Sequence, residues 1–304
     1  MIYQARLRIK SMKVKPISPV VFGNIAKTIF DIMPEGKARQ QIYKLIECKT
    51  LISDILPVDA LAKEKIVSMI NEAEENNEFA GAADTDSLRE KKHIHRAWRY
   101  RPAPVIKEGF IETVRRRTMV DRESGKAAEK ILFNDTEKWF DRDTLYSLYI
   151  AVQDEKIIPL LDLVLRVIEQ TGFGTDNSTG AGQLEFIREN GRVLARDQKM
   201  EEMFVRSSSD TCVNIASTIL TEEVIKENVF VRYCVERYDS RNPRLTKPPY
   251  FYLPAGNLVI PRDSGPFIAE YRVREKTAFI YNCIFPVRAG KEGMSCDSPI
   301  SRCI

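Results

Sequence analysis

The sequence is poor in the residues that mark an enzyme, a secreted scaffold or a membrane protein. His93 and His95 are its only histidines. The six cysteines, Cys48, Cys212, Cys234, Cys283, Cys296 and Cys303, are scattered, and none forms a Cys-x-x-Cys pair. That spacing excludes a zinc ribbon and a disulfide framework and predicts reduced thiols. No apolar run approaches the roughly 20 residues a membrane-spanning helix needs. The opening residues Met1-Ile2-Tyr3-Gln4-Ala5-Arg6-Leu7-Arg8 alternate like a strand and lack the apolar stretch of a signal peptide. The expectation is a cytoplasmic protein with no membrane partner. No internal repeat of solenoid period is present.

What is there suits a globular chain. Apolar residues make up 43% and charged residues 30% of 304 positions, enough to bury a core over about two domains' length. The formal net charge is only +4, but it is unevenly placed. Residues 91–117 hold nine lysines and arginines against Glu108 and Glu112, a balance of +7 that leaves −3 for the rest of the chain. Basicity gathered in one segment points to a local polyanion site. The same segment interleaves Trp98, Tyr100 and Phe110 with the charges. Cations on phosphates, with aromatics or guanidinium planes on bases, are how single-stranded RNA is held.

Periodicity sets out the elements. A strand is predicted over 2–10, and a helix from about Phe22 to Pro34-Glu35-Gly36, with Ile25, Ala26, Ile29 and Ile32 at helical spacing. Further helices are predicted over 37–47 and 59–75, and residues 71–90 read as an acidic linker. Strands follow around 129–134 and over 145–152, then an apolar helix over 157–170 stopped by Gly172, then a strand over 183–187. Strand, helix, strand, strand, helix, strand is the ferredoxin-like order, here with a long insertion before the third strand. The fold class is therefore α+β. Residues 1–195 form a ferredoxin-like domain with a basic insertion at about 71–128. Residues 196–304 form a β-rich second domain with an irregular tail, of a length compatible with a second ferredoxin-like fold. Its strands are expected at 228–238, 250–253, 257–260, 267–273 and 278–287. The aromatic run Pro248-Pro249-Tyr250-Phe251-Tyr252 reads either as core and turn or as an interface.

The sharpest motif is Gly172-Phe173-Gly174-Thr175-Asp176-Asn177-Ser178-Thr179-Gly180-Ala181-Gly182. Glycines permit positive φ and a close approach of backbone to ligand, and bare amides and hydroxyls between them can hold phosphate oxygens. A plain helix-to-strand turn is the alternative. The stretch is not a Walker loop, since no Gly-Lys-Ser/Thr ends it. It is not a Rossmann fingerprint, since it follows a helix and precedes a strand.

In that place the stretch resembles the glycine-rich loop of the RAMP superfamily of CRISPR proteins, which are ferredoxin-like RNA binders. Other segments extend the likeness. Leu51-Ile52-Ser53-Asp54-Ile55-Leu56-Pro57 resembles the Ser-Asp-x-x-Pro segment of the Csm-complex subunit four family. Val120-Asp121-Arg122-Glu123-Ser124-Gly125, with Leu132-Phe133 after it, is similar to that family's Asp-Arg-x-Thr-Gly segment and Leu-Phe strand. Tyr252-Leu253-Pro254-Ala255-Gly256-Asn257 and Phe285-Pro286-Val287 resemble its C-terminal Gly-Ser turn and Phe-Pro-Val strand. The likeness runs over about residues 1–290. It departs at Pro19-Val20-Val21-Phe22-Gly23, which lacks the Asp and Thr of the family's Ser-Asp-Thr-x-Phe-Gly, and at Asn257, where the family has Ser.

The resemblance implies a non-catalytic RNA-binding subunit of a type III effector complex acting in antiviral defence. Such a subunit holds the 5′ handle of the crRNA and kinks the RNA with a β-hairpin thumb. It docks the large polymerase-like subunit and the first backbone RAMP subunit, and needs neither cofactor nor metal. The candidate RNA-binding residues are Gly172, Gly174, Asn177, Ser178, Thr179, Gly180 and Gly182 in the loop, and Lys91, Lys92, His95, Arg96, Trp98, Arg99, Arg101, Arg115, Arg116, Arg117 and Arg122 in the basic insertion. A different class of function uses the same fold: a metal-independent endoribonuclease that processes guide-RNA precursors, with His93 or His95 as acid or base. No paired catalytic group accompanies those histidines in the sequence.

Overall fold

The computed structural model describes residues 1–75, 110–120, 127–141, 143–174, 181–232, 235–238, 250–262, 265–273 and 276–289. In the first part the strands are β1 (Ile2–Ile9), β2 (Ser11–Met12), β3 (Leu51–Ile52), β4 (Leu56–Pro57), β5 (Phe110–Val120), β6 (Ala127–Phe140), β7 (Tyr146–Ala151), β8 (Leu184–Ile187) and β9 (Ala195–Arg196). The helices there are α1 (Ser18–Ile32), α2 (Glu35–Glu47), α3 (Lys63–Glu75) and α4 (Ile158–Thr171). Two short helices follow, α5 (Gln198–Met203) and α6 (Glu222–Glu227). The later strands are β10 (Cys212–Asn214), β11 (Thr218–Ile219), β12 (Asn228–Arg232), β13 (Glu236–Tyr238), β14 (Tyr250–Leu253), β15 (Leu258–Pro261), β16 (Phe267–Val273), β17 (Lys276–Asn282) and β18 (Pro286–Val287).

β1 is the spine of the first part. Its alternation sends Ala5, Leu7 and Ile9 into the core and leaves Gln4, Arg6 and Arg8 on the other face. It pairs antiparallel with β7 (Ile2 opposite Ala151) and with β8 (Leu7 opposite Phe186), and β3 and β4 pair with the far side of β7. The sheet therefore runs β3-β7-β1-β8, with β4 beside β3's place and β9 beside β1. Every pairing is antiparallel, and α1 and α4 are the crossovers between non-adjacent strands, the split β-α-β pattern.

One strand lies elsewhere than the periodicity suggests. The 129–134 segment is not in this sheet. It belongs to β6, 14 residues long, which pairs with β5 from Phe110↔Phe140 to Val120↔Ala127 and with β2 at its base. The place beside β7 is held instead by two-residue strands around Ser53-Asp54, too short for a period to register. The predicted strands over 228–238 and 278–287 each divide in two. β12 pairs with β15 while β13 pairs with β14, and a register shift between Phe230 and Arg232 interrupts the first ladder before its last pair.

α1 starts at Ser18, ahead of Phe22. Proline is tolerated in a first turn, and Pro19 sits there. The helix has no cap of its own, and Asp54 supplies one across space: the Ser18 amide donates to Asp54 Oδ1 at 2.6 Å. Ser217 of the second part donates its amide to the same oxygen at 2.7 Å and its hydroxyl to Oδ2 at 2.6 Å. A second tie is Tyr281, fully buried and stacked on Phe22 with ring centroids 4.6 Å apart. Its hydroxyl accepts from the Ile52 amide at 3.0 Å and donates to the Thr50 carbonyl at 2.9 Å. It thus satisfies the outer edge of β3, which no strand among the described residues covers. One buried apolar cluster accordingly runs from Ile2, Leu7 and Phe22 to Val213, Leu258, Phe285 and Val287.

Candidate nucleic-acid interface

Three segments that are remote in sequence meet where β1 ends. The Lys10 amide donates to the Gln183 carbonyl at 3.0 Å, and the Lys10 carbonyl accepts from the Phe140 amide at 3.3 Å. Ser11 and Met12 pair with Trp139 and Lys138, and the Ser11 carbonyl accepts from the Gly182 amide at 3.0 Å. Residues 10–12 are thus flanked on one side by the exit of the glycine stretch and on the other by the base of the β5–β6 hairpin. The two flanks lie two strand spacings apart, roughly 10 Å.

The glycine stretch has a closed neck. Gly172 ends α4 at φ 87°, its amide donating to the Ile168 carbonyl at 2.8 Å. The Phe173 amide donates to the Gly182 carbonyl at 2.8 Å. A Cβ at Gly182, where φ is +77°, would fall 2.0 Å from the Phe173 carbonyl oxygen; at Gly174, where φ is +90°, it would fall 2.8 Å from Val14 Cγ2. The positive φ favours glycine at both, and at Gly182 the Phe173 backbone also leaves no room for a Cβ. The Gly174 amide is held by Asn24 Oδ1 at 2.8 Å, and Asn24 Nδ2 donates in turn to the Val20 carbonyl at 2.8 Å. The amides of Gly172, Gly174 and Gly182 are therefore all spent inside the protein, and their part is to shape the neck. Asn177, Ser178, Thr179 and Gly180 lie outside the described residues, as do Lys91, Lys92, His93, His95, Arg96, Trp98, Arg99, Arg101 and Arg122.

The hairpin places Arg115, Arg116 and Arg117 on β5, with backbone partners Asp135, Asn134 and Phe133. Arg115 is five residues beyond the base at Phe110, roughly 17 Å along the strand. The base is anchored by aromatic packing: Phe110 on Phe140 and Phe140 on Tyr146, each with centroids 5.5 Å apart. Lys138, nearly buried, pairs with Glu112 at 2.6 Å and lies 5.3 Å from the Phe110 ring centroid.

Sequence reasoning missed the residues that join loop to hairpin. Lys10 is exposed, Lys13 half-buried, and Asn24 holds the neck. Asn24 directly follows the Phe22-Gly23 pair singled out by resemblance, and that adjacency is the one signal available. Lys15 belongs elsewhere, since it pairs with Glu236 at 2.9 Å, which also accepts from the Tyr252 hydroxyl. Two of the other resemblance segments make structural contacts. Gly256, at φ 98°, and Asn257 form the turn whose amide and carbonyl bond Asn214 at 2.8 Å each, and Pro286-Val287 pairs with β10.

Among the described residues no group of three His, Cys, Asp or Glu is placed to hold a metal ion, and no helix is long and apolar enough to cross a membrane. Cys48, Cys212 and Cys283 are buried free thiols. Burial pushes Cys212 and Cys283 each up to about 11, which suppresses the thiolate a nucleophile needs.

The fold, α+β with antiparallel sheets, is similar to that of chains in solved CRISPR complexes. A chain of the Csm3-Csm4 subcomplex in the type III-A CRISPR-Cas interference complex superposes with TM-score 0.56 and 12% identity, covering 96% of this chain and 100% of that one. A chain of the Csm1-Csm4 cassette in complex with AMPPNP gives 0.48 and 16% identity over 95% of this chain and 98% of its own. A chain of the Type III-B Cmr-beta complex bound to cognate target RNA gives 0.35 and 9% identity, over 62% and 58%. No family model and no curated protein matches the sequence.

Proposed function

We propose that this chain is a non-catalytic RNA-binding subunit of a type III CRISPR effector complex in antiviral defence. It caps the 5′ handle of the crRNA and docks the large polymerase-like subunit and the first backbone RAMP subunit. The observation that carries this reading is the meeting of the glycine-loop neck and the hairpin base on either side of residues 10–12. A strand of RNA lying along that seam can touch Lys10 and Lys13 and then follow β5 past Arg115, Arg116 and Arg117. Phosphates supply affinity through these cations, while the loop hydroxyls of Ser178 and Thr179 position the backbone. The likeness to the Csm3-Csm4 chain supports the setting of the complex.

The test is a titration of labelled repeat RNA with the purified full chain in EDTA, from about 50 to 200 mM salt. Replacing Arg115, Arg116 and Arg117 by Ala should weaken binding and lower the log–log salt slope by roughly 0.7 for each phosphate that is no longer neutralised. The RNA should stay intact throughout. An unchanged slope would remove the arginines from the site. Cleavage that disappears in His93→Ala or His95→Ala would replace this reading with the endoribonuclease.

A further inference from the structure

α4 is amphipathic, and its outer face carries two exposed apolar residues among polar ones. Ile158, Leu161, Val164, Leu165 and Ile168 are buried, yet Leu163 on the outward side is 49% exposed beside exposed Pro159. Next to Leu163 is a pre-formed hollow of about 270 Å³, lined by Ile158, Pro159, Asp162, Leu163, Arg166 and Arg192.

The wall of the hollow is fixed. A tight turn at Asn190-Gly191, both at positive φ, brings Glu189 and Arg192 into a bridge. Asp162 Oδ1 accepts the Val193 and Leu194 amides at 2.7 and 2.9 Å, and Arg166 donates to the Gly191 carbonyl at 2.7 Å. Arg166 also pairs with Asp162 Oδ2 at 2.7 Å, and its Nε is buried without a partner. The turn is thus clamped to α4 before anything binds.

The charges around it do not balance. Arg188 pairs with Glu169, Arg196 with Glu201 and Arg166 with Asp162. Arg192, on the rim, has no carboxylate partner among the described residues. We propose that this hollow is a docking site for a protein partner, which inserts one apolar side chain over Leu163 and Pro159 and offers an adjacent carboxylate to Arg192. An apolar anchor in a pre-formed pocket beside a paired charge is the composition of an interface hot spot. A nucleic acid fits less well, because Ile158, Pro159 and Leu163 line the hollow together with the Asp162 carboxylate. The inference does not depend on RNA binding at the glycine loop.

The test puts the photo-crosslinking residue p-benzoylphenylalanine in place of Leu163 in the full chain, expressed in its native host. After irradiation the adduct is identified by mass spectrometry. The expected result is a protein adduct whose attachment point is an apolar residue within a few positions of an Asp or Glu. Arg192→Glu should cut the adduct yield about tenfold or more, and changing that partner carboxylate to Lys should restore it. Melting temperature and RNA affinity should stay unchanged in both variants, since the two positions are on the surface and away from the loop. An adduct to RNA, no adduct, or a protein adduct with the same yield in Arg192→Glu would overturn the proposal.

Discussion

The two parts of the chain satisfy their backbones by different means. In the first part β1, β3, β4, β7, β8 and β9 share one sheet, and the ladder pairs most of its amides, with side chains holding those of Ile52, Tyr149 and Phe186. In the second part the strands are divided among sheets of four, three and two. There, side-chain carboxamides complete the pairing. Asn282 accepts from the Ile219 amide at 2.8 Å and donates to the Ile219 carbonyl at 2.7 Å, mimicking a neighbouring strand. Asn214 accepts from the Ala216 and Phe285 amides at 3.2 and 2.9 Å and donates to Ala216 and Thr218 at 2.8 and 2.9 Å. Small sheets bury little by themselves. The second part therefore leans on the first through Asp54 and Tyr281, and the two should unfold as one.

The sharpest way to break that dependence is Asp54→Ala. It leaves the Ser18 amide and both Ser217 donors buried without their acceptor. A loss of about 3 kcal/mol or more is expected, read as a lower urea midpoint. Near- and far-ultraviolet dichroism should still report one transition; two separated transitions would show that the parts stand alone.

Next in size is Gly182→Ala, which meets the Phe173 carbonyl at 2.0 Å from a φ of +77°. About 2–3 kcal/mol of destabilisation is expected from the clash and the left-handed backbone together. Ser178→Ala with Thr179→Ala should leave stability within about 0.5 kcal/mol and weaken RNA binding. A pair of variants with the opposite behaviour would make the neck the ligand site and the apex a mere turn.

Tyr281→Phe is a smaller change. It keeps the stack on Phe22 and strips the edge of β3 of its cover, leaving the Ile52 amide and Thr50 carbonyl without the hydroxyl that pairs them. A cost of about 1–3 kcal/mol is expected in the same denaturation assay. An unchanged midpoint would mean that water reaches this edge.

The smallest effect is alkaline. Cys212 and Cys283 are raised by burial to about 11, above the ordinary thiol value of 9.0. Their folded form holds the proton longer than the unfolded form does. Their contribution is therefore whole below pH 9 and is lost as the pH rises toward 11. Melting temperature should be flat to about pH 8.5 and then fall, and the fall should be shallower in Cys212→Ala with Cys283→Ala. An identical alkaline slope in that double variant would assign the loss to other groups.

The sequence was most legible where apolar residues keep a period over several turns or strands. β1, α2, α4 and β8 lie within a residue or two of their expected bounds, and Gly172 stops α4 as anticipated. Local residue chemistry also singled out the glycine stretch, because four glycines between a helix and a strand demand a turn or a close approach. The structure divides that demand, assigning Gly174 and Gly182 to the neck. Tertiary structure alone decided the rest. Two-residue strands have no period, so the place of Leu51–Ile52 beside β7 could not be read. An aspartate that caps a helix 36 residues away and holds a serine 163 residues away leaves no local mark, since both bonds exist only after the chain has closed on itself. The seam at residues 10–12 is of the same kind: periodicity predicts the strand, but only packing brings a glycine neck and a hairpin base to its two sides.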